Sequence, residues 1–275
     1  MIDFGLYTAI KILASVLIVV VLSLIAERAG PRVAGIASGF PLGTAISLYF
    51  IGLEIGPAFA ARSAVFTAAG LAATLMFVAG YLLGLRLAGE RRRVPSLLVA
   101  IPPALAAYGL AAWLLSLIPI NIFGAGLMAF ASILLADRYF RTIPDTPLEE
   151  SVRLSFRATL LRAVFAAMVI LAITTAARAL GPGWAGLFSA FPITMLPLLA
   201  IIQFTYQPAH VRTIIKNIPR GLGALLIYTL VVAVSYARYG IGWGTVLGYL
   251  AATLYLVWLQ HLKRLKPVGL PHPSN

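Results

Sequence analysis

The chain has 275 residues, 61% hydrophobic and 11% charged, with a formal net charge of +13 and a mean hydropathy of +0.98. Soluble domains carry roughly 25% charged residues, so a soluble fold is excluded, as is a membrane barrel, whose ~10-residue alternation is missing. Zero cysteines excludes disulfides, thiolate metal sites and cysteine nucleophiles, and in so apolar a chain the positive charge reads as basic loops against anionic headgroups, not as nucleic-acid binding.

In chain order, nine apolar segments are each predicted to cross the membrane as a helix: 7–26, 33–54, 61–85, 95–117, 121–137, 158–178, 184–205, 214–237 and 241–261. The first has no basic n-region and no small-residue cleavage site, so it is expected to stay as a span and not to be a cleaved signal. Between the segments the loops are short, and the longest polar stretch, 138–157, centres on Pro144-Asp145-Thr146-Pro147. The loops after segments one, three, five and seven, with the C-terminus, hold fourteen Lys and Arg, against Arg238 alone in the opposite loops. The positive-inside bias therefore places the C-terminus in the cytoplasm and the N-terminus outside.

Twelve residues recur: GPRVAGIASGFP at Gly30–Pro41 and GPGWAGLFSAFP at Gly181–Pro192, seven of them identical, at an offset of 151. Without a gap, the same offset brings Gly70-Leu71-Ala72-Ala73 onto Gly221-Leu222-Gly223-Ala224 and Lys11 onto Arg162. Four helices repeat, and the single segment 121–137 between the copies turns the second one over. The expected fold is thus an all-α polytopic membrane protein of about nine transmembrane helices, arranged 4 + 1 + 4 as an inverted-topology repeat. Its parts are a first repeat at 1–118, a spacer helix and cytoplasmic linker at 119–157, and a second repeat with a basic tail at 158–275. Secondary transporters share this plan and place their substrate site where the repeats meet.

The motif that could carry chemistry is SxFP. Ser38–Pro41 and Ser189–Pro192 each fall several residues inside a predicted helix. Proline there removes a backbone donor and clashes with the preceding turn, and in lipid the freed carbonyls need protein, water or substrate partners. Ser38, Phe40, Pro41, Thr44, Ser189, Phe191, Pro192 and Thr194 are therefore the expected substrate-binding residues; a proline kink used only for packing is the plainer alternative. The charge-coupling candidates near membrane depth are Lys11, Arg162, Glu54, Arg62 and Arg212, with snorkelling to the interface as the competing reading for the basic ones. Glu54 closes its segment on the outer face, whereas Asp137 is assigned to the cytoplasmic linker region. His210, His261 and His272 fit no metal-ligand spacing, and no nucleophile elbow or phosphate loop is present. No catalytic residue, metal or cofactor is expected, and the chain is read as not an enzyme.

The block that joins Ala34-Gly35 to Phe40-Pro41, and again Ala185-Gly186 to Phe191-Pro192, resembles the GlpM-type family of small bacterial inner-membrane proteins. Those are single four-helix units; two units and a spacer helix here look like a fused, inverted version. The resemblance implies a bacterial inner membrane and names no substrate. The function expected is a secondary transporter or flippase, alternating access around the two breaks. Its substrate would be a small organic anion or a lipid-linked phosphate, since basic groups outnumber acids at the membrane edges. A non-transporting scaffold or accessory subunit of a membrane enzyme is the leading alternative, with a channel behind it. The partners expected are anionic headgroups and the small-molecule or lipid substrate, not nucleic acid; a homodimer stays open.

Overall fold

A computed structural model describes residues 39–89, 93–143, 156–205 and 208–264, with isolated positions at 9, 12, 13, 16, 17, 20 and 36. Among the described residues there are helices joined by turns and short connections, and no strand. Seven helices follow one another: α1 (Leu42–Ile55), α2 (Pro57–Ala88), α3 (Arg93–Ser116), α4 (Ile122–Arg141), α5 (Phe156–Ser189), α6 (Met195–Thr205) and α7 (Pro208–Arg264). Most of segment 7–26, Lys11 included, lies outside the described residues, as does Ser38.

Five of the seven, α2 to α5 and α7, are long and apolar enough to cross a membrane, so nine continuous spans are not found among the described residues. Chain breaks explain the difference. Segment 184–205 does not run through: it stops before Phe191-Pro192 and restarts as the short apolar helix α6, with 11 residues, while the described helix of segment 33–54 is the 14-residue α1, which begins just after Phe40-Pro41. The stretch before the second break instead continues from α5, bent at Gly181 (φ 79°, ψ 170°). Segments eight and nine are the two helices that meet inside α7 at Gly240 (φ 79°, ψ 171°), where the chain doubles back so that Tyr228 packs on Tyr249. Positive φ is costly for a residue with a Cβ, and glycine at both bends removes that cost.

Helix α2 is the axis of the molecule. It packs on α1, α3, α4, α5 and α7, while α3 and α4 turn Leu110, Trp113, Phe123, Leu127 and Phe130 outward, as expected of lipid-facing helices. The α2–α3 contact is close because Gly80 and Gly84, one turn apart, leave no side chain in the way. A Cβ at Gly80 would stand 2.6 Å from the Pro103 carbonyl oxygen, and one at Gly84 2.5 Å from Ala100 Cα. Such small-xxx-small pairs let membrane helices approach where no hydrophobic force drives them together.

Polar contacts collect at the two ends of this bundle. At one end Arg178 donates to the Glu54 carbonyl at 3.0 Å, and Arg62 stands beside Pro119–Ile122. At the other, Arg86 reaches the Tyr139 hydroxyl at 3.4 Å and Lys216 donates to the Ile143 carbonyl at 2.8 Å. Along α2 the rise of ~1.5 Å per residue separates Arg62 from Arg86 by about 36 Å, close to a hydrocarbon core of ~30 Å plus its edges.

Candidate functional site

The two Phe-Pro breaks meet. Phe40, Gly43 and Thr44 from the first, and Ala190, Phe191, Pro192, Thr194 and Met195 from the second, line one cavity of about 20 Å³, closed by Thr74 of α2 and Leu222 and Leu225 of α7. That volume holds about one water molecule. Thr74 sits twelve residues from Arg62 and twelve from Arg86, so the cavity lies about 18 Å along α2 from each arginine. Helices α1 and α6 both begin at this point, so the positive ends of two helix dipoles converge on it.

Where the chain leaves α5, backbone carbonyls lose their helical donors; Ile193 N–H, for instance, turns to the Phe191 carbonyl at 2.7 Å instead of serving Ser189. Hydroxyls from other helices reach four carbonyls here, two of which, Gly186 and Leu187, also keep the Ala190 N–H at 3.1 Å. Thr67 donates to Gly186 at 2.9 Å, Tyr108 to Leu187 at 2.5 Å, Thr44 to Ser189 at 2.8 Å and Thr74 to Ala190 at 2.7 Å. An unsatisfied carbonyl in this setting costs about 1–3 kcal/mol, so the clamp is what makes the interruption tolerable inside the bundle. The Ser189 hydroxyl turns back onto its own helix, to Ala185 at 2.8 Å, and Ser47 does likewise, to Gly43 at 3.0 Å. Phe191 packs edge-on against Tyr108, with ring centroids 5.1 Å apart, while Phe40 lies 5.9 Å from Tyr249, whose hydroxyl approaches the Pro41 carbonyl at 3.4 Å.

The clamp is organised by one stripe of α2: Ser63, Thr67, Gly70, Thr74, Phe77 and Tyr81, at alternating steps of four and three. Ser63 and Thr67 meet Gly186, Gly70 meets Leu187 and Ala190, and Phe77 meets Phe191. Tyr81 donates to Gln203 of α6 at 2.6 Å, and Gln203 in turn donates to Ser96 at 2.7 Å, all three buried. Close approach is required at two places here. A Cβ at Gly70 would stand 2.7 Å from that of Ala190, and one at Gly39 would overlap the Gly221 backbone. These two contacts are images of each other: 190 follows 39, and 221 follows 70, by the same 151 residues.

Of the expected binding residues, Phe40, Pro41, Thr44, Ser189, Phe191, Pro192 and Thr194 thus come together around the breaks. The charge candidates do not join them. Arg162 is enclosed by protein at 6% exposure. Glu54 is half-buried at one bundle end, and Arg62 and Arg212 are exposed. Asp137 is not a loop residue: it belongs to α4, contacts Arg141 one turn on and pairs with Arg220 of α7 at 3.3 Å. Tyr255 donates to the Arg220 carbonyl at 3.4 Å, closing a junction between α4 and both parts of α7. Among the described residues no group of three or more His, Asp or Glu could hold a metal.

No family model matches the chain, and no curated protein or solved structure matches it.

Proposed function

We propose that the chain is a secondary transporter or flippase of the bacterial inner membrane, built as an inverted 4 + 1 + 4 repeat, that carries an anionic substrate by alternating access around its two Phe-Pro breaks. The observation that carries this reading is the convergence of the α1 and α6 N-termini on one cavity midway along α2. Half-helix N-termini at mid-depth are how broken-helix transporters receive anionic groups. The reciprocal contacts Gly39–Gly221 and Gly70–Ala190 support a two-fold relation between the halves. The resemblance to GlpM-type units belongs to the same proposal, as does the cytoplasmic C-terminus.

A cavity for one water makes this the closed form of such a site. Opening it requires α1 and α6 to part, and the Thr44–Ser189 bond is the polar link between the two breaks. Purified protein in liposomes should take up or flip anionic metabolites or lipid phosphates with saturation, and Thr44→Val should change the rate. If wild-type protein neither moves nor binds any such anion, the transport reading is wrong.

A scaffold has one observation in its favour: hydroxyls already satisfy the second break, leaving a packed junction. A stoichiometric partner enzyme that keeps its activity with the Pro41→Ala, Pro192→Ala double variant would favour that role.

A further inference from the structure

A groove of about 460 Å³ that the breaks do not account for opens at the end of the bundle where α2 and α4 begin. Arg62, Val65 and Phe66 form one wall, and Pro119, Ile120, Asn121 and Ile122 the other. We propose that this groove binds the headgroup of an anionic phospholipid, with Arg62 on its phosphate; the inference does not depend on the transport reading.

Depth is the first argument. Arg62 stands about 18 Å along α2 from Thr74, where a hydrocarbon core of ~30 Å gives way to headgroups. Charge is the second. Among the described residues Arg62 is the one ionisable group lining the groove, no carboxylate lines it, and Arg62 has no acidic partner. An exposed guanidinium paired with a phosphate gains up to about 1 kcal/mol.

Shape separates a lipid from a free anion. Five of the seven lining residues are apolar, and beyond the rim Leu117, Ile118 and Phe123 are strongly exposed, Phe123 at 85%. A bare phosphate would use the guanidinium and leave that apolar wall wet. A glycerophosphate head with acyl chains running down α3 and α4 uses both, and a volume of this size is ordinary for such a ligand. Asn121 already caps α4, accepting from Gly124 N–H at 2.8 Å through its side-chain oxygen, and its amide NH₂ faces no such demand. Phe66 also lies beside Gly183 and Gly186, so a lipid seated here would brace the start of α2 against the stretch leading into the second break.

The test is native mass spectrometry of the purified full chain, titrated with phosphatidylglycerol, phosphatidylcholine or inorganic phosphate. Phosphatidylglycerol should bind in preference to phosphatidylcholine, and Arg62→Gln should weaken it about fivefold, with Arg62→Lys in between. Arg238→Gln, which removes an exposed arginine outside the groove, should leave binding unchanged. Equal retention of the two lipids, loss on Arg238→Gln as large as on Arg62→Gln, or saturation by inorganic phosphate that displaces the lipid would each overturn the proposal.

Discussion

Replacing the hydroxyls that hold the second break tests the central structural claim. Thr44→Val and Thr74→Val keep the shape of the side chain and delete one donor each, from the Ser189 and Ala190 carbonyls respectively. Hydrogen bonds between membrane helices average about 0.6 kcal/mol and reach about 1.7. These two belong near the upper end, because the chain turns away after Ser189 and supplies no helical donor in their place. The pair should cost about 2 kcal/mol, a factor of roughly 30 in the unfolding equilibrium. Thr67→Val should cost about 0.5 kcal/mol, since the Gly186 carbonyl also accepts from Ala190 N–H at 3.1 Å. Equilibrium unfolding in mixed micelles measures this directly, with the fluorescence of Trp184, stacked on Phe188 at 5.4 Å, as a reporter within the break. A double variant within about 0.3 kcal/mol of wild type, or Thr67→Val as damaging as the pair, would refute the clamp; the threshold is the usual error of additivity.

Gly186→Ala should be strongly destabilising, by about 3 kcal/mol, because its Cβ would overlap the Ser63 carbonyl and stand 2.7 Å from Phe66 Cβ; Gly109→Ala, with nothing within 4 Å, should gain about 0.5 kcal/mol in the same unfolding assay. Gln203→Leu should lower stability by about 2 kcal/mol by stranding the Tyr81 and Ser96 hydroxyls, and Tyr81→Phe made in that background should recover part of the loss. Asp137→Asn should cost about 1 kcal/mol, as a partly exposed pair does, and that loss should shrink as salt is raised in the unfolding titration.

The places where helices stop were legible in the sequence; where they continue was not. Phe-Pro inside an apolar segment marks a backbone donor lost, and both breaks fall at Pro41 and Pro192. At Gly181 and Gly240 the predicted segment boundaries fall on bends where one helix meets the next without a loop, which an apolar run has no periodicity to show. The clamp was half legible. Ser63, Thr67, Gly70 and Thr74 form a small, polar stripe at heptad spacing, visible to anyone looking for a close helix contact. Their acceptors are backbone carbonyls more than a hundred residues away, which no side-chain pattern encodes. Asp137 was misplaced for a simpler reason: α4 runs four residues beyond its apolar stretch, ending at Arg141.

The two breaks differ, and the 151-residue offset says how. It brings Thr67 onto Ile218 and Thr74 onto Leu225, so the stripe of α7 keeps Gly221 but replaces the clamping hydroxyls with hydrocarbon. If the halves share a fold, the carbonyl of Gly39 faces Leu225 as that of Ala190 faces Thr74. Leu225→Thr should then supply the missing donor, and comparison with Leu225→Val, equal in shape, isolates the hydroxyl. The threonine variant should be the more stable of the two by about 0.6 kcal/mol in mixed-micelle unfolding, and on the transport reading its uptake should be slower, because the first break becomes as fixed as the second. A threonine variant less stable than the valine one would mean that its hydroxyl is buried without an acceptor. The two-fold relation would then fail at the residue that lines the cavity between the breaks.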